Sequence, residues 1–133
     1  MKWIKRICVI IMSLPVILII VLITFEIFGM CVNHLATSRQ TKELQSNLEN
    51  EIDGIKIIDV HFQTGNLSGT GNHVECLSVV TFSTTLEECE IKKIMSKYYN
   101  IDNQNCFLKK TDQGIYSFIQ ETTAPFPNNI EGH

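Results

Sequence analysis

Residues 7–25 read ICVIIMSLPVILIIVLITF, nineteen residues without a charge, hydroxylated only at Ser13 and Thr24. As a helix they would cover roughly 28 Å, close to the hydrocarbon thickness of a bilayer. The apolar run resumes after Glu26 as IFGMCV, which lets a tilted helix reach the headgroups. Residues 7–32 are therefore read as a transmembrane anchor and residues 1–6 as a basic tip before it. A cleaved signal peptide has a shorter apolar stretch, about 7–15 residues, and small residues at its cleavage site. Here the candidate sites FGM, CVN and HLA each place a large residue at a key position, and Met30 is too large to precede a lipid-attachment cysteine at Cys31. An uncleaved anchor is the expectation.

Lys2, Lys5 and Arg6 precede the run, whereas Arg39 and Lys42 follow it at a distance and are diluted by Glu43. Positive charge stays on the cytoplasmic side, so the expectation is a single-pass cell-membrane protein with its N-terminus in the cytoplasm and its C-terminal domain outside. Trp3 stands where an interfacial aromatic would. Pro15 removes one helix hydrogen bond, which membrane helices tolerate. Glu26 is the one ionisable residue of the span and lies near its outer edge, where it can reach water.

Residues 33–133 hold eight Lys or Arg against thirteen Asp or Glu, five more acids than bases. An acidic domain without a basic stripe argues against nucleic-acid binding and against lying flat on anionic lipid. Residues 37–53 predict a helix with a thin apolar stripe at Leu44, Leu48 and Ile52, stopped by Gly54. Residues 55–64 and 73–83 are rich in β-branched and aromatic residues and predict strands. Thr85 and Glu88 form a capping box that opens a helix running to about Tyr99, with Ile91, Ile94, Met95 and Tyr98 along one face. Residues 106–110 and 115–121 predict a hairpin around Thr111-Asp112-Gln113-Gly114. The order helix, strand, strand, helix, strand, strand predicts an α+β domain over 33–121, with a mainly antiparallel sheet and two helices. Residues 122–133, with two prolines and little to bury, are expected to form a flexible tail.

The stretch Asn66-Leu67-Ser68-Gly69-Thr70-Gly71-Asn72-His73 invites a ligand-loop reading. A phosphate loop needs G-x-x-x-x-G-K-[ST] before a helix, and no lysine lies between Lys56 and Lys92. A dinucleotide fingerprint would need a third glycine where Val74 stands, and a helix where a strand is expected. What remains is a hairpin loop whose glycines permit positive φ. Asn66, Ser68, Gly69, Gly71, Asn72 and His73 are its candidate ligand- or partner-binding residues. Asn66-Leu67-Ser68 also matches a glycosylation sequon.

If residue 64 pairs with 73, His61 faces Cys76, with Asp59 and Ser78 the next pair on that side and His73 beside Glu75 on the other. Asp59, His61 and Cys76 would then be the skeleton of an activated thiolate. A one-residue slip would dissolve it. No C-x-x-C or H-x-x-x-H spacing supports a metal, and no cofactor is expected. Of the five cysteines, Cys8 and Cys31 lie in the anchor, Cys8 a possible acylation site. Cys89 is expected to face away from the core, as an exposed thiol or dimer contact.

Three functions compete. The first is a non-enzymatic membrane-anchored protein whose outer domain binds a protein partner or serves as an accessory module. Its mark would be an exposed apolar patch or an open sheet edge. The second is a small thiol-dependent or hydrolytic enzyme using Cys76 and His61. The third is a secreted factor released by cleavage. Nothing in the pattern supports a homo-oligomer.

Overall fold

The computed structural model describes residues 2–69 and 71–133, without the side chains of Lys5, Ile7, Cys8 and Val9; the possible acylation of Cys8 thus lies outside the described side chains. The apolar run and the predicted helix at 37–53 are one element. Helix α1, Lys2–Glu51, runs 50 residues through Pro15 without a break, about 75 Å at 1.5 Å per residue. Between the two predicted segments no residue after Gly29 disfavours helix strongly, so nothing stops it before Gly54, whose φ of +70° turns the chain. The apolar part of α1 is long enough to cross a membrane and projects from the rest of the fold with its side chains uncovered.

After α1 come β1 (Lys56–Gly65), β2 (Glu75–Ser83), α2 (Glu88–Met95), β3 (Cys106–Asp112), β4 (Ile115–Thr123) and a 3-10 turn at Ile130–Gly132. The strands form one antiparallel sheet in the order β1-β2-β4-β3. The fold is therefore α+β with the predicted order of elements. Helix α2 opens two residues later than the Thr85 box implied. Its N-cap is Glu87, whose backbone N–H donates to Glu90 Oε2 at 3.0 Å. It also ends at Met95 rather than Tyr99: beyond it the backbone tightens, Tyr98 N donating to the Met95 carbonyl at 3.0 Å, and the tyrosine side chains turn to other elements. Tyr98 Oη donates to Glu51 Oε1 at 2.5 Å, and the Tyr99 ring packs 5.3 Å from that of Phe118.

The half of α1 beyond the apolar run lies across one face of the sheet, with α2 on the same side. Leu44, Leu48 and Ile52 meet Val80, Phe82, Tyr116 and Phe118 of the sheet, and Ile91 and Met95 of α2, in one buried cluster. This is the burial that the predicted stripe required. Toward the apolar half of α1 the same interface turns polar. Thr37 Oγ1 lies 2.7 Å from Thr64 Oγ1, and Thr41 Oγ1 lies 2.7 Å from Ser78 Oγ. Gln40 Nε2 reaches Ser78 Oγ at 3.1 Å and the Cys76 carbonyl at 3.2 Å. Helix and sheet are thus joined by apolar burial at one end and by a seam of side-chain hydrogen bonds at the other.

Residues 122–133 do not hang free. Thr122 and Thr123 complete β4, and the chain then folds back on α1. Val74 N donates to the Pro127 carbonyl at 2.7 Å, Ala124 N to the Val74 carbonyl at 3.0 Å, and Asn66 N to the Glu131 carbonyl at 3.2 Å. The two prolines do not loosen this segment, because its donors and acceptors find partners on α1 and on the β1–β2 loop.

Candidate functional site

Pairing of β1 with β2 starts at Gly65↔Glu75 and Thr64↔Cys76, three residues out of step with the register that would join His61 to Cys76. His61 faces Val79, and Asp59 faces Thr81. An odd offset puts His61 and Cys76 on opposite faces of the sheet. Cys76 is buried under α1, its Sγ 4.0 Å from the Asn33 carbonyl oxygen, while His61 and Asp59 are exposed on the other side. The expected Asp59–His61–Cys76 alignment is therefore not formed. A bulge between Ile57 and Asp59 moves the far end of β1 back by one residue, to Ile57↔Phe82. Among the described residues no cluster of His, Cys, Asp and Glu could hold a metal ion.

The register is set by the loop. Residues 66–74 stay out of the ladder because Glu75, at the first position of β2, folds them around its carboxylate. Its Oε2 accepts from the backbone N–H of Leu67 and of Ser68, both at 3.0 Å, and its Oε1 lies 2.6 Å from His73 Nε2. Burial pushes the Glu75 carboxyl up, but the Ser68 N–H, the His73 ring and the Leu67 N–H outweigh it and hold the group below its ordinary value. Asn66 closes the loop from within: Oδ1 accepts from Gly69 N at 2.9 Å, while Nδ2 donates to the carbonyls of Gly71 (2.9 Å) and Gly132 (3.0 Å). Gly69 and Gly71, at φ +66° and +73°, supply the turns. The backbone N–H pair that could have cradled a phosphate already holds the protein's own carboxylate. Six residues expected as a ligand loop, Asn66, Ser68, Gly69, Gly71, Asn72 and His73, thus lie together, and two backbone donors of the loop point inward.

A second assembly has no counterpart in the sequence-based reading. Phe126 sits over Gly29, with its ring 5.8 Å from Phe25 and 5.7 Å from Phe28, both edge-on. A Cβ at Gly29 would touch Phe126 at 3.4 Å, so the glycine admits the ring close to the helix. Asn33, wholly buried, holds both backbone groups of Phe126: Nδ2 donates to its carbonyl and Oδ1 accepts from its N–H, each at 2.9 Å. Glu26 Oε2 accepts from Ile130 N at 2.9 Å, and His34 Nε2 lies 2.6 Å from Glu131 Oε1. Glu26 is thus a ligand for the returning chain. The signals were a lone glycine beside two phenylalanines on a helix and a distant Pro-Phe-Pro; nothing in a linear reading connects them.

The face of the sheet away from α1 has no second layer among the described residues. Across it runs one row of cross-strand partners, His61, Val79, Ile119 and Phe107, in the strand order β1-β2-β4-β3. Val79, Ile119 and Phe107 are each only half-buried. A solvated sheet face ordinarily alternates to polar side chains. On β1 the bulge residue Ile58 is 51% exposed, while Phe62, paired with Ser78, is 49% exposed at the edge of the α1 side. Both edges are bulged, and β3, irregular between Lys110 and Asp112, also carries exposed Lys109 and Lys110, which discourages strand addition. Cys89 is exposed, as expected from its position on the wheel, whereas Cys106 is buried. Beside Cys89, Lys92 is neutralised by Glu88 and Asp102 at 2.9 and 2.8 Å.

Comparison with protein-family models, with curated proteins and with solved structures finds no match to this chain.

Proposed function

We propose that this is a single-pass membrane protein, N-terminus in the cytoplasm, whose outer domain is a non-catalytic module that binds a protein partner on its open sheet face. The observation that carries the reading is the row of exposed His61 and partly buried Val79, Ile119 and Phe107 on a face with no covering layer among the described residues. A contiguous apolar patch left in contact with water favours an interaction site. The unbroken helix supports the anchored form: the domain's core is built on the same rod that carries the apolar run, so the face is held at a fixed height above the bilayer. The packing of Phe126 supports retention of the anchor, since release of residues 1–32 would strip Phe25, Glu26, Phe28 and Gly29 from the returning chain. The Cys76–His61 enzyme has no such support, because the two residues lie on opposite faces.

A photo-crosslinking amino acid at Ile119, in cells making the full chain, tests the reading. A discrete adduct is expected, lost when Val79→Lys is added and absent when the crosslinker replaces Tyr98, which is exposed elsewhere on the domain. Equal adducts at both positions, or none at Ile119, would discard the face as a binding site.

A further inference from the structure

We propose that Pro125–Ile130 is a second membrane contact, a hook seated in the lipid interface of the leaflet from which α1 emerges. The inference rests on α1 spanning the bilayer. If residues 7–25 fill the hydrocarbon core, Glu26 marks its outer boundary. The hook is fixed at that depth by three contacts: Ile130 N on Glu26, and the Phe126 ring on Phe25 and on Phe28. Its composition suits the place. In an acidic domain, residues 122–130 carry no charge, and the next residue, Glu131, is turned back onto His34. Ile130 is 60% exposed, and Phe25 and Phe28, which pack against Phe126 of the hook, are 59% and 57% exposed, so α1 and the hook both present uncovered apolar side chains at this level.

The backbone points the same way. Peptide groups near the hydrocarbon must be satisfied within the protein. Pro125 and Pro127 have no N–H to satisfy. Both polar groups of Phe126 are held by Asn33, the Pro127 carbonyl accepts from Val74 N, and Ile130 N is held by Glu26. Because the contact is apolar and uncharged, the occupant is the lipid itself rather than an anionic headgroup, and a zwitterionic bilayer suffices.

The test uses the full chain in phosphatidylcholine vesicles, with Trp3→Phe removing the native indole and one tryptophan introduced at a time. The lipid is brominated near the top of its acyl chains. Emission of the Ile130→Trp chain is expected to fall in brominated relative to plain vesicles, that of Leu22→Trp to fall as the mark of a spanning helix, and that of Tyr98→Trp to stay unchanged. Quenching of Leu22→Trp with none of Ile130→Trp overturns the hook while leaving the anchor intact; a blue-shifted but unquenched Ile130→Trp does the same, showing that protein covers it. Loss of quenching at Leu22→Trp as well overturns the anchor and the hook together. Asn128→Trp, also exposed, reads the same depth if Ile130→Trp disturbs the 3-10 turn.

Discussion

Glu75 is the residue on which the β1–β2 loop is organised, because one buried carboxylate collects two backbone donors and an imidazole. Hydrogen bonds to a charged group contribute more than neutral ones, so Glu75→Gln should cost about 1–3 kcal/mol. The sign with pH follows from its lowered pKa. The stabilisation is fully present above the ordinary carboxylate value, about 4.3, and is lost as pH falls through the lowered one. Glu121, pushed up by burial and by the neighbouring Glu75 charge, works in the opposite sense and favours the folded state slightly as it takes up a proton. Melting of the wild-type domain should therefore decline below about pH 4, while Glu75→Gln melts lower at pH 7 and falls less with acid, as thermal denaturation by circular dichroism would record. Equal acid sensitivity in the two chains would mean that the Glu75 bonds add nothing. The glycines and Asn66 of this loop were legible as turn formers from their residue types. The carboxylate at its centre was not, since a Glu at the start of a strand looks like any solvated acid until the chain closes around it.

At the scale of elements, α1 meets the sheet through two kinds of contact, and these should fail differently. Leu48 is wholly buried in the apolar cluster; its stripe with Leu44 and Ile52 was readable because helical periodicity alone places the three on one face. Asn33 belongs to the same helix but holds Phe126, 93 positions away, and periodicity says nothing of that. Asn33→Ala leaves both polar groups of Phe126 without their partner, at about 1–3 kcal/mol for each that stays buried. The loss should be local: hydrogen exchange at the amides of Phe126 and Ile130 should rise sharply, with exchange at Val80 and Phe118 in the central strands nearly unchanged. If the central strands exchange faster to the same degree, the hook and the sheet are one cooperative unit and not two.

Across the whole molecule, an apolar core at one end and a polar seam at the other give the cysteines distinct reporting positions. Cys89 is exposed, Cys76 lies under the polar seam and Cys106 borders the apolar core. A membrane-impermeant maleimide on intact cells should label Cys89 and spare Cys76 and Cys106. Labelling of Cys89 only after lysis would reverse the proposed orientation. With rising denaturant Cys76 should become reactive before Cys106, because the seam rests on exchangeable hydrogen bonds and the core on burial. From the sequence alone came the uncharged run long enough for a bilayer, the order of helices and strands, the acidic balance of the domain and the apolar stripe of α1. These depend on residue type and short-range spacing, which a linear chain displays. Only the tertiary structure decided the register that parts His61 from Cys76, the capture of the loop by Glu75, the return of Phe126 to Gly29 and the sheet face left open. Each of these is a contact between residues far apart in the chain, and a strand's pairing offset, the partner of a buried polar group and the layer missing from a sheet become defined only when the whole chain closes on itself.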